Sequence, residues 1–194
     1  MSFKRALLVL FMLCVGCAGL KEAVAPKATA YTLMVKPWHR YGLLKEDPTS
    51  ILASVDAVFL SCQLQKSMVE YQKEAGTLTE IEAEEKLKEV SRNCRAHYTF
   101  LVALYTKKSS WNNLSDDNPF FRVFLEAEGT RRPPESVKEV KLKDDEISTF
   151  YPFVEPWMKV YLVKFGRAGL ENAKEITLEF ASLLGRIDLT WRLR

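Results

Sequence analysis

Two histidines, His39 and His97, and four cysteines, Cys14, Cys17, Cys62 and Cys94, carry most of the reactive chemistry this chain offers. So few imidazoles exclude a multi-histidine metal site, and beyond residue 17 no Cys-x-x-Cys pair remains to hold zinc. Cys94 with His97 one turn later has the spacing of a thiol nucleophile and its base. Cys62 competes for that thiol. Both cysteines lie sixteen residues from Leu78, which sets them level if the chain turns back there. In an oxidising compartment they form a disulfide; otherwise they pack as two buried thiols. Asp116-Asp117-Asn118 offers oxygens that suit calcium, but Pro119 follows and the triplet reads as a loop cap. Asp144, Asp145 and Glu146 sit in a charged stretch with no apolar pocket to raise a carboxyl pKa, so they read as a solvated turn. There is no Gly-x-Ser-x-Gly elbow and no phosphate-cradling glycine loop. No cofactor and no metal is expected.

Recognition chemistry is better supplied. Trp38, His39 and Tyr41 cluster early, and Tyr151-Pro-Phe153-Val-Glu-Pro-Trp157 interleaves rings with prolines. Exposed, such rings anchor a protein partner or cell-wall sugars; buried, they complete a core. Arg131 and Arg132 either meet an acidic surface or belong to a solvated loop.

The address comes from the first residues. Lys4 and Arg5 precede an apolar run from Ala6 to Val15, the layout of a signal peptide and short of the ~20 residues that span a bilayer. By itself the segment reads as a secretory leader with two incidental cysteines. Val15-Gly16-Cys17 resembles the end of a bacterial lipobox, although Cys14 stands where that family usually has leucine. The resemblance ends with the leader. It implies cleavage after residue 16, a lipid on Cys17 and, because Ala18 follows, an outer-membrane destination. Residues 17–30 are mostly small, without a large apolar face to offset their ordering, and read as a tether. Without residues 1–16 the chain keeps 26 basic and 25 acidic side chains. That balance excludes an electrostatic footprint for nucleic acid.

The rest, 31–194, makes one domain. Asp47-Pro48-Thr49 reads as a helix start, and Ile51, Val55, Val58, Cys62, Gln65 and Val69 then recur at helical spacing. Gly76 closes that helix, and Thr79 with Glu82 opens a second whose stripe is Ala83, Leu87, Val90 and Cys94. The hairpin is expected over about 48–97. Strands follow: Thr99–Tyr105 apolar on both faces, then 121–127, a charged edge strand at 137–142, 157–165, and two runs either side of Gly185. A first strand at Thr29–Val35 completes seven or eight. The expected fold is mainly β with an α-helical hairpin: an antiparallel β-sandwich, of immunoglobulin-like type, with the hairpin inserted after the first strand.

The function expected is that of a non-catalytic envelope lipoprotein docking another envelope protein, held to the membrane by its lipid. Trp38, His39, Tyr41, Phe153 and Trp157 are the candidate contacts. A binding module for cell-wall glycan or another small ligand is the first rival, and an envelope enzyme the second. An aromatic-lined groove around Trp38 or Trp157 favours the ligand; a flat apolar patch or open sheet edge favours the protein. A pocket holding His39 or His97 beside a carboxylate favours the enzyme.

Overall fold

Nine strands make two antiparallel sheets in the computed structural model, which describes residues 29–193. The expected leader, the Cys17 lipid site and the tether up to residue 28 lie outside the described residues. In chain order the strands are β1 (His39–Lys45), β2 (Ile51–Phe59), β3 (His97–Thr106), β4 (Arg122–Ala127), β5 (Thr130–Arg132), β6 (Ser136–Val140), β7 (Lys159–Gly166), β8 (Glu175–Ser182) and β9 (Gly185–Arg192). One sheet runs β1-β2-β3-β7-β6 and the other β5-β4-β8-β9. Helices α1 (Cys62–Glu74) and α2 (Glu80–Ala96) join β2 to β3, and α3 (Asp144–Phe150) precedes β7. The fold is mainly β, an antiparallel sandwich carrying a helical hairpin.

Alternation builds the space between the sheets. Val123, Leu125 and Ala127 of β4, Tyr161, Val163 and Phe165 of β7, and Ile187, Leu189 and Trp191 of β9 all point inward at every second position. The larger sheet buries its other face too. Val58, Leu101, Ala103 and Val160 pack there against Leu64 of α1, Phe150 of α3 and Val35. A second core thus lies outside the sandwich, under a layer of helices. Among the described residues the two cores draw their buried side chains from Ala30 to Trp191.

The helical hairpin follows its capping residues. In α1 the Ser61 hydroxyl accepts from the Leu64 N–H. At its end Gly76 takes a φ of +72°, and Gly76 and Thr77 donate to Lys73 and Gln72 carbonyls. Those two bonds close a Schellman motif, which needs a left-handed residue. Thr79 and Glu82 form the expected reciprocal capping box.

The hairpin is shorter than its expected 48–97 span, and residues 51–59 are a strand. Because β2 is covered on both faces, Leu52 through Phe59 are all buried. Without a wet face there is no alternation to read, and Ile51, Val55 and Val58, apolar at steps of four and three, mimic helical spacing. Asp47 does cap, but it caps a β-turn: its Oδ1 accepts from the Thr49 and Ser50 N–H groups.

Two more expectations move. Thr29–Val35 is not a strand; Tyr31–Val35 is a wide helical turn running into a 3-10 turn at Lys36–Trp38. The Thr32 hydroxyl bonds the Thr29 backbone, which satisfies it locally in place of a ladder. The helical hairpin therefore follows the second strand, not the first. Strands β1, β2 and β3 also form a meander in one sheet, whereas the immunoglobulin arrangement places its second and third strands in opposite sheets. Residues 130–132, expected in a loop, pair with β4 through a two-residue turn in which Glu128 and Gly129 both have positive φ.

One edge of the sandwich is closed by a close approach. Gly42 of β1 lies where a Cβ would collide with Ile187 and meet the Leu189 side chain at 3.0 Å. Arg40 there donates through Nε to the Thr190 carbonyl of β9 at 2.9 Å. The absent side chain lets β1 lean onto β9.

Candidate functional site

Trp38 and His39 stand where the N-terminal segment turns into β1, and each begins a different construction. His39 points to the outer face of the larger sheet. Its Nε2 lies 2.9 Å from Asp56 Oδ1 and its Nδ1 lies 2.8 Å from the Tyr31 hydroxyl. The neutral tautomer fits both contacts: Nε2–H donates to the carboxylate, and Nδ1 accepts from the phenol. Phe153 covers the imidazole in a stacked contact, with centroids 4.1 Å apart. Tyr31 and Tyr41 have pKa values raised by burial first and by the Asp56 charge second. With both ring nitrogens engaged, His39 has none left for a substrate. The chain Tyr31–His39–Asp56 instead pins the N-terminal segment to β2.

That pinned segment walls a groove of about 1040 Å³ at the open end of the sandwich. Leu33, Met34 and Pro37 form its lip and Trp38 its half-exposed ring, while Phe59, Tyr98 and Trp191 are buried in the floor behind it. Phe59 and Trp191 come from the ends of β2 and β9, and Tyr98 from the start of β3. The Trp191 Nε1–H donates to the Trp38 carbonyl at 2.6 Å, joining lip to core. Arg40, Arg167 and Arg192 also line the groove, against Glu175 as its carboxylate.

The candidates read from sequence are distributed unevenly. His39 and Phe153 come together on the outer face, while Trp38 lies in the groove against Phe59. Tyr41 is exposed on β1, opposite Asp56 in register. Trp157 is 63 % exposed and precedes β7 instead of opening it. Arg131 belongs to neither site: its guanidinium bonds the buried Glu179 carboxylate and lies 3.5 Å from the Phe124 ring centroid on the other sheet. Missed by sequence were Arg40, Arg167, Arg192 and Trp191 as groove residues. Trp191 was legible as core, but nothing in the local pattern placed it 153 residues from its Trp38 partner.

Cys62 and Cys94 do meet, at the groove wall. They are free thiols in this structure. Burial first, then hydrogen bonding with Cys62, pushes the Cys94 thiol up to about 12. A protonated thiol is a poor nucleophile, the opposite of what a Cys94–His97 catalytic pair needs. His97 is engaged with Glu135, Nε2 to Oε2 at 3.1 Å.

The Cys94 shift has a pH consequence. Unfolded, the thiol releases its proton near its ordinary value of 9.0; folded, it keeps it to about 12. Between these values the native state binds more protons, so stability falls as pH rises. The contribution is whole below the lower value. Tyr161, buried and also pushed up to about 12, adds the same sign starting from its ordinary 10.0. Urea midpoints of the reduced protein should fall across this window, and those of Cys94→Ala should fall less steeply. Equal slopes would contradict the assignment.

Among the described residues no group of three or more His, Cys, Asp or Glu side chains is placed to hold a metal ion, and no helix is long and apolar enough to cross a membrane. Comparison of the chain with protein-family models, curated proteins and solved structures gives no match.

Proposed function

We propose that this is a lipid-anchored, non-catalytic envelope protein whose end groove binds a small ligand with a substantial apolar body. The observation that carries the reading is the groove around Trp38. Its volume is at the upper limit of the range of ligand pockets, and its walls divide between apolar side chains and polar or charged ones. The histidines favour binding over catalysis: His39 is locked in a structural chain, and the thiol near His97 is held protonated. Val15-Gly16-Cys17 supports the anchor. Its test is mass spectrometry of the mature protein, which should find a lipid-modified Cys17 at the amino terminus.

The groove is tested with the lipid-free mature chain, residues 18–194, which contains both cores. The neutral probe N-phenyl-1-naphthylamine should bind one per chain with a fluorescence gain, and Trp38→Ala should weaken it at least about tenfold, since a large ring contact is lost. Absence of binding, or binding indifferent to Trp38, sinks the reading.

Docking of another envelope protein has its own support at the opposite end. The β8–β9 turn displays Leu183, fully exposed at 103 %, and Leu184, beside which Leu44 packs close to Gly185. An apolar tip of that kind suits a protein contact. Crosslinking in native membranes from a photoreactive group at position 183 would capture such a partner.

A further inference from the structure

We infer that the ligand of the end groove is an amphipathic anion, its acidic group held by arginines and its apolar body laid against Trp38 and the apolar lip. This rests on the groove being a binding site and adds the chemical class it selects. Arg40 is held in place by carbonyls alone: Nε donates to Thr190, and Nη1 to Pro37 and His39 at 2.9 and 2.8 Å. Its Nη2 has no partner among the described residues. Arg167 is held likewise, by the Cys94 carbonyl at 2.9 Å and the Glu171 carbonyl at 3.4 Å, while its guanidinium lies over the Tyr98 ring. The Arg167 Nε is buried with no hydrogen-bond partner among the described residues.

Backbone carbonyls orient a guanidinium without cancelling its charge. Both side chains are half-buried, so their charge is partly stripped of water. Neither is in an ion pair among the described residues, and the nearest compensation is the exposed Glu171 carboxylate, whose pKa is lowered by its backbone hydrogen bonds first and by the Arg167 charge after them. A partly desolvated cation of this kind is stabilised by an anion that accepts from its remaining N–H groups, those of Arg40 Nη2 first. The third arginine is freer. Arg192 meets the groove carboxylate, Glu175, only at 3.7 Å, and both side chains are largely exposed, so that weak pair leaves Arg192 able to turn to a ligand. Three guanidiniums therefore face one carboxylate along the groove. Rings lie within reach of the same charges, since Arg40 sits 5.7 Å from the Trp191 centroid. His97 adds a buried Nδ1 without a partner among the described residues, which accepts a hydroxyl or acid proton when its Nε2–H faces Glu135. A bare inorganic anion would use the arginines and leave the rings idle; a neutral hydrocarbon would do the reverse.

The experiment compares two probes of similar shape on the lipid-free mature chain. 8-Anilinonaphthalene-1-sulfonate carries a sulfonate, and N-phenyl-1-naphthylamine is its uncharged counterpart. The sulfonate should bind more tightly by about tenfold, the worth of one hydrogen bond to a charged group, and the preference should shrink with added salt. Arg192→Gln, an exposed change that spares the fold, and Arg167→Gln should each lower the sulfonate-to-neutral preference several-fold. Dodecanoate should displace the sulfonate probe, and inorganic phosphate alone should not. Equal affinity for the two probes, or a preference unmoved by both substitutions, overturns the anion while leaving the groove as a binding site. Displacement by phosphate alone overturns the amphipathic class. Failure of both probes to bind removes the site itself.

Discussion

Replacing Trp191 with alanine is expected to lower stability by about 3–5 kcal/mol, the range for emptying a buried tryptophan site. The side chain is 1 % exposed and packs against Phe100 and Phe59, with centroids 5.2 and 6.4 Å away. Its loss opens a cavity where the two sheets meet and strands the Trp38 carbonyl that accepted its N–H. For a domain of this size the melting temperature should fall by about 10 °C. Probe binding should fail as well, because Trp191 joins the lip of the groove to the core. Trp157→Ala is the control. That ring is exposed, and its removal should change stability by no more than about 0.5 kcal/mol. If the two variants melt together, the packing described at the groove is wrong.

Oxidising Cys62 and Cys94 to a disulfide is expected to stabilise the protein by about 3–4 kcal/mol, through the entropy removed from the unfolded chain when a loop of this length is closed. Two thiols give up two electrons and two protons to a disulfide-exchange catalyst of the oxidising compartment, and one S–S bond forms. The positions suit it. Cys62 opens α1 and Cys94 lies in the last turn of α2, so the antiparallel hairpin brings their thiols together. Protein exported as proposed should give linked Cys62 and Cys94 peptides in a non-reducing digest, and reduction should lower its urea midpoint. A Cys62→Ser, Cys94→Ser double variant should show no such difference. Oxidation should also abolish the Cys94 share of the alkaline instability. Recovery of both thiols free to alkylate would refute the bridge.

The two halves of the proposed function depend on different links of the chain. The anchor rests on a few residues of leader and needs no fold. The groove needs all of it: a pinned N-terminal turn, the ends of β2, β3, β7 and β9, and the helical hairpin as its wall. The Tyr31–His39–Asp56 chain holds residues 31–39 against the outer face of the larger sheet and so sets where the groove lip stands.

What the residues determined alone was a part of what near neighbours govern. The capping box at Thr79 and Glu82, the left-handed stop at Gly76, and the two-residue period of β4, β8 and β9 are short-range physics, and each is present as read. The meeting of Cys62 and Cys94 was legible for the same reason, because an antiparallel hairpin makes their separation a local quantity. Tertiary structure decided the rest. Strand β2 is buried on both faces by a helical layer and a second sheet, which erases the alternation that marks a strand and left it to be read as helix. The groove was invisible because its arginines and rings come from chain positions as far apart as Trp38 and Arg192. Their charge is legible in any sequence; that carbonyls, not carboxylates, would hold two of them is a consequence of which strand ends the sandwich brings to one opening.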